Sequence, residues 1–238
     1  DRVIQQGIAQ KLQNIWEPLF SDSSYGYRPK RSGQQAIQKV KEYAEEGDQY
    51  AVSVDLSKYF DTLNHELLMN LLHRKIQDMR VLRIIKKYLK SGVMENGVVS
   101  KTKEGSPQGG PLSPLLANIY LNEFDWEMHS RGVKTVRYAD DIVVFAKSKR
   151  AAERLMESSR RYLEGKLKLK MNTEKSKVTS IFAVKEFKFL GFCIGKNGSG
   201  IYIRAHRKSL NKAKEKLKLL TKRNRGRNVR RVMQEVKV

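Results

Sequence analysis

Val136-Arg137-Tyr138-Ala139-Asp140-Asp141-Ile142-Val143-Val144-Phe145 is the stretch that decides the fold. Apolar, β-prone residues flank a Tyr-Ala-Asp-Asp tetrapeptide, which predicts a tight hairpin rising from a buried sheet with two acids at its tip. An Asp-Asp pair in a turn can simply solvate it, because Asp bonds its own backbone there. A second acid in a matching setting changes the balance. Ala51-Val52-Ser53-Val54-Asp55 is another β-prone run ending on a carboxylate, followed by Leu56-Ser57-Lys58-Tyr59-Phe60-Asp61 and a helix from about Asn64. Carboxylates at neighbouring strand ends suit hard cations. Mg²⁺ takes one or two of them plus substrate phosphates, and two such ions about 3.5–4 Å apart serve in-line displacement at phosphorus.

Composition points the same way. The chain has 238 residues, 48 Lys and Arg against 25 Asp and Glu, and a formal net charge of +23. That length allows one large or two smaller domains, and that charge suits a polyanionic partner bound through its phosphates. No run approaches the roughly 18–20 apolar residues of a spanning helix, and no charged-then-apolar leader opens the chain. The expectation is a cytoplasmic protein with no membrane partner. Cys193 is the only cysteine, which excludes an intrachain disulfide and a cysteine-rich zinc site. The four histidines, His65, His73, His129 and His206, lack metal-ligand spacing and read as surface or packing residues.

Working outward, the pattern predicts a first helix to about residue 17, ended by Trp16-Glu17-Pro18, and a second from Ser32 to about Glu46, stopped by Gly47. Helices follow at about 64–75 and 78–90, and Asn96-Gly97 marks a hairpin. Leu112 to about Met128 reads as a helix beside the acidic hairpin, and another covers about 149–165. Phe182–Phe192 and Ile201–Ile203 read as a further hairpin closed by Gly195–Gly200. From Arg204 onward the chain carries fourteen Lys and Arg against two Glu, with Leu210, Ala213, Leu217 and Leu220 as an apolar helical stripe.

The ordered motifs resemble group II intron-encoded reverse transcriptase/maturases. They are the Asp55 strand with Phe60 five residues on, Gly105-Ser106-Pro107-Gln108-Gly109-Gly110-Pro111-Leu112-Ser113-Pro114, the Tyr138–Asp141 hairpin, Leu169-Lys170-Met171-Asn172-Thr173-Glu174-Lys175-Ser176, and Phe189-Leu190-Gly191-Phe192. The likeness runs from Asp1-Arg2-Val3-Ile4-Gln5-Gln6 through Ser23-Ser24-Tyr25-Gly26-Tyr27-Arg28-Pro29 to about Phe192. It implies an α+β right-hand polymerase palm, a split βαβ, RRM-like antiparallel sheet with helices on one face, plus the helical part of the fingers. Residues 1–50 would be partial fingers. Residues 51–204 would be the palm, with a helical insertion at about 64–110, and 205–238 the start of a basic helical thumb or maturase domain. Asp1 is no initiator, and fingers strands precede this point in relatives. The chain therefore reads as a fragment, weakly active or inactive alone.

The resemblance implies an RNA-directed DNA polymerase that copies intron RNA and binds it to assist splicing. Asp55, Asp140 and Asp141 would be the catalytic acids. Asp55, Asp140 and the Leu56 carbonyl would hold two Mg²⁺, with Mn²⁺ as a substitute. Phe60 would stack under the sugar and exclude a 2′-hydroxyl, favouring deoxynucleoside triphosphates. Gln108 would face the incoming nucleotide or template, and Lys175 the triphosphate or the leaving pyrophosphate. Tyr138 and Gly191 would lie by the primer, DNA or RNA, while Arg28 and Lys30 would track the RNA template. A homodimer is compatible with the sequence. The alternatives are a non-enzymatic maturase that only binds intron RNA, and a retron-like or diversity-generating reverse transcriptase.

Overall fold

Strands β1 (Tyr50–Val54) and β5 (Asp141–Ala146) pair antiparallel at the centre of a four-stranded sheet. The computed structural model describes residues 2–91, 93–95, 98–100, 104–107, 109–222 and 228–237. The sheet order is β4-β5-β1-β6, with β4 (Thr135–Tyr138) and β6 (Lys177–Ser180) at the edges and every pair antiparallel. The register sets Val52 against Val144 and Val54 against Ile142, with Ala51 against Phe145. Successive strand side chains point to opposite faces, so these pairs enter two different cores.

Val52, Val54, Ile142 and Val144 pack with Leu68 of α3 (His65–His73), Leu116 and Phe124 of α5 (Ser113–Ser130) and Leu163 of α6 (Lys149–Gly165). Ala51, Val143 and Phe145 pack with Ile37 and Val40 of α2 (Gly33–Glu45) and Ile194 of the β7 (Phe192–Asn197)–β8 (Gly200–Ala205) hairpin. A sheet covered on both faces needs apolar residues without alternation. That is why Ile142 to Ala146 are all buried. The palm helices α5 and α6 share one face as expected, and the opposite face is closed by α2 and the β7–β8 hairpin.

The helices begin where their caps lie. Ser32 accepts the N–H of Gln35 at the start of α2, Asn64 that of Leu67 at α3, and Asp78 that of Arg80 at α4 (Met79–Lys90). The first helix, α1 (Arg2–Trp16), gives way to a 3₁₀ turn at Glu17–Leu19 containing Pro18. The Asn96-Gly97 turn lies outside the described residues, although the strands around it, β2 (Val93–Glu95) and β3 (Val98–Ser100), pair antiparallel.

One expectation needs correction, and one strand was missed. The last hairpin starts at Phe192 and not at Phe182, because the chain from Ser180 to Phe187 folds into tight turns that bury Phe187 and Phe189 beneath the sheet. Strand β6, only four residues long, went unread in the sequence. In the basic C-terminal segment, α7 (Arg207–Leu220) forms as the periodicity predicts, and α8 (Val229–Lys237) follows. The α7 stripe is uncovered, with Leu210 and Leu217 respectively 44% and 45% exposed. Among the described residues no helix is long and apolar enough to cross a membrane.

Candidate active site

Asp55 lies one residue beyond β1 and, by the register, opposite Asp141 at the start of β5. Asp140 precedes Asp141 in the turn. Three carboxylates therefore meet at one end of the two central strands. Desolvation by the surrounding protein, then the neighbouring charges of Asp140 and Asp55, raise the carboxyl of the solvent-reachable Asp141 above its ordinary range, with Lys188 opposing. Asp55, Asp141 and Lys175 line an open cleft of about 420 Å³, together with Lys185, Lys188 and Lys208.

The donor set fits a hard divalent cation. It offers carboxylate oxygens whose mutual repulsion a cation would relieve. Among the described residues no group of three or more His, Cys, Asp or Glu side chains is close enough together to hold a metal ion by itself. A Mg²⁺ site of one or two carboxylates completed by substrate phosphates does not need one.

Asp55 is fixed from a distance. Its backbone N–H donates to Ser176 Oγ at 3.0 Å, and its carbonyl accepts the N–H of Asn172 at 2.8 Å. Asn172 Oδ1 in turn accepts the N–H groups of Glu174 and Lys175, which shapes the turn presenting Lys175. Leu56 is buried and bridges to Met171. Ser176 was not singled out in the sequence as a site residue. Its place in the quoted Leu169–Ser176 motif was the signal.

The acidic turn is held more tightly still. Tyr138 pairs with Asp141 across a two-residue loop in which Ala139 takes φ 57°, a left-handed conformation that costs a non-glycine residue roughly 1–2 kcal/mol. Arg137, 0% exposed, supplies the restraint. Its Nε and Nη2 donate to Asp125 of α5, itself 1% exposed, and Nη2 also donates to Ser24 Oγ at 2.7 Å. Nη1 donates to Asn118 Oδ1 at 2.8 Å and to the Ala139 carbonyl at 3.0 Å. All five guanidinium N–H groups are used, which a buried cation requires. The loop at 23–26 runs beside β4, with Arg137 N–H donating to the Ser23 carbonyl and Tyr25 N–H to the Arg137 carbonyl. Asn118 Nδ2 donates to the Gly26 carbonyl at 2.7 Å.

Phe60 is half-buried against Tyr59, ring centroids 5.3 Å apart, and faces a second cleft of about 960 Å³ shared with Gln6, Tyr27, Gly109 and Pro111. Its carbonyl accepts the Ser106 N–H, and His65 Nε2 donates to the Gly105 carbonyl at 2.6 Å. The Gly105 loop is thereby seated on the Phe60 turn. Gly105 has φ 91°, and a Cβ there would lie 2.8 Å from the Asp61 carbonyl oxygen, so only glycine fits. Gln108 lies outside the described residues.

Tyr138 packs in the second core with Leu190, which precedes Gly191 in the tight turn between Phe189 and Phe192. Lys30 is exposed. Arg28 is not where the sequence reading put it. Only 9% exposed, it donates to Glu17 Oε1 at 2.8 Å and to the carbonyls of Ser21 and Ser24, with its guanidinium over the Phe20 ring. A cation with no free donor cannot follow a template phosphate, so Arg28 is an interior brace.

Comparison with known proteins agrees with this arrangement. The family model described as reverse transcriptase (RNA-dependent DNA polymerase) matches residues 1–194. Protein YkfC of Escherichia coli is 36% identical over 219 residues, covering 76% of this chain and 58% of that protein. The group II intron-encoded protein LtrA of Lactococcus lactis is 31% identical over 265 residues, covering 84% and 44%. The chain thus spans about half the length of these relatives. A truncated apo telomerase from Candida tropicalis superposes with a TM-score of 0.64 at 14% identity, over 85% of this chain and 45% of that one, a likeness of fold. With its sheet, its paired acidic strand ends and four-fifths of its length matching one family model, the chain belongs to the reverse transcriptase (RNA-dependent DNA polymerase) family.

Proposed function

We propose that the protein of which this sequence forms all or part is the RNA-directed DNA polymerase of a group II intron. The observation that carries this reading is the convergence of Asp55, Asp140 and Asp141 at adjoining strand ends inside a chain of net charge +23. Asp55 and Asp140, with the Leu56 carbonyl, are the residues to hold two Mg²⁺. Bound there, the cations would supply Lewis acidity for attack of a primer hydroxyl on the α-phosphate of a deoxynucleoside triphosphate. Asp141 shares the cleft with Lys175, whose ammonium would neutralise the departing pyrophosphate. Phe60 and Tyr27 line the neighbouring cleft, which suits a sugar and a stacked base. Residues 1–50 fit the fingers, 51–204 the palm and 205–238 the start of the thumb.

Primer extension on an RNA template by the full-length protein tests this. Asp140→Ala, or chelation of Mg²⁺, is expected to abolish extension. Full activity in Asp140→Ala would remove the proposal. A second reading, binding of intron RNA to assist splicing, is supported by the fourteen cations from Arg204 onward and the uncovered α7. It requires salt-sensitive RNA affinity that persists in Asp140→Ala.

A further inference from the structure

The loop at 23–26 does more than cover the β4 edge. We infer that Gly26 and Arg137 are positioning residues for Asp140: together they clamp the left-handed Ala139 turn from two sides, so the N-terminal segment sets where that carboxylate stands. This rests on the reading of Asp140 as a metal-binding acid.

Gly26 presents a bare Cα to the turn. A Cβ built on it would overlap the Ala139 nitrogen and lie 3.0 Å from the Tyr138 carbonyl carbon and 3.1 Å from Ala139 Cα, all of them backbone atoms that cannot rotate away. No positive φ is involved, so close approach alone explains glycine at this position. On the other side Arg137 Nη1 holds the Ala139 carbonyl. Asn118 ties the two halves together, donating to the Gly26 carbonyl and accepting from Arg137. Ser24 does the same from within the loop, by accepting from Arg137 Nη2. Asp140 is the next residue after the clamped one, so a shift of the Ala139 backbone reaches it through only two soft torsions, Ala139 ψ and Asp140 φ. A displacement of about 1 Å at a reacting centre costs on the order of a hundredfold in rate.

Gly26→Ala tests the clamp by adding one methyl and removing no hydrogen-bonding group. In the full-length protein it is expected to lower the maximal extension rate about a hundredfold and to raise the Mg²⁺ concentration for half-maximal rate. KM for primer–template should stay constant. Gly165→Ala, where a Cβ meets nothing within 4 Å, is the control for glycine loss and should leave the rate unaltered. If Gly26→Ala does not fold, Ser24→Ala takes its place. It removes one acceptor of Arg137 without crowding the turn, and a roughly tenfold rate loss with the same Mg²⁺ shift is expected. A rate that falls only with the folded fraction, or a raised KM at constant maximal rate, would overturn the inference. Asp140→Ala in parallel separates the two levels. Full activity there removes the underlying reading, whereas loss there with normal rates in Gly26→Ala and Ser24→Ala removes the clamp alone.

Discussion

Ser176 Oγ accepts the backbone N–H of Asp55 at 3.0 Å, joining two motifs 121 residues apart. The bond fixes the backbone of the first acidic residue just where the β1 ladder ends, and it leaves the Asp55 carboxylate free for other work. Ser176→Ala strips the acceptor from a part-buried N–H. It is expected to cost about 1–3 kcal/mol of stability, read from urea denaturation, and to slow extension beyond the loss of folded protein. An unchanged denaturation midpoint would show that water replaces the hydroxyl.

Phe60 packs on Tyr59 yet opens into the Tyr27 cleft. Phe60→Val keeps an apolar residue at the core edge while making room for a 2′-hydroxyl. Single-nucleotide incorporation should then show ribonucleotides gaining at least tenfold on deoxynucleotides. An unchanged ratio would make Phe60 a packing residue only.

Arg28 and Lys30 should behave oppositely although they lie two residues apart. Arg28→Ala leaves Glu17 without its partner in a mostly buried pair and is expected to cost roughly 3 kcal/mol of stability. It should not change the salt dependence of template binding. Lys30→Ala should leave stability unchanged and lower that salt slope by about one. Thermal denaturation and binding titrations over a range of salt separate the two.

Burial pushes the Tyr120 phenol up to about 12 from 10.0. A raised folded-state value means that stability is intact below pH 10 and declines as pH climbs from 10 to 12, since the unfolded chain loses its proton first. The decline approaches roughly 3 kcal/mol at the upper end. Tyr120→Phe should flatten this alkaline slope while losing the bond to the Leu167 carbonyl at all pH values. Denaturant midpoints at pH 7, 10 and 11.5 check it.

What could be read in the sequence was chemistry carried by local patterns. The Tyr138–Asp141 turn, the strand ending at Asp55, and helix starts marked by Ser32 and Asn64 all announce themselves within a few residues. The rest depends on contacts between distant segments. Arg137 reads as an ordinary cation until β4 is seen to be buried against α5, where Asp125 balances its charge. A charged residue in a strand whose neighbours face a two-sided core was the available signal. Arg28 misled because an Arg in a loop with Tyr and Pro looks solvent-facing, and its partner Glu17 lies across a turn that no periodicity reveals. Strand β6 is too short for alternation to register, and Gly26 owes its identity to a backbone more than a hundred positions away.

The strand order has a consequence for how the protein is made. β1 occupies the middle of the sheet, but its partners β5 and β6 are encoded far downstream. At roughly 5–20 residues per second of translation, Asp55 emerges on the order of ten seconds before Ser176 arrives to hold it. During that interval the apolar edge of β1 has no native partner and the first carboxylate has no fixed place. The site that defines the family thus comes into being only once about three-quarters of this sequence has been made, and until then the nascent protein carries an unpaired strand with no chemistry available to it.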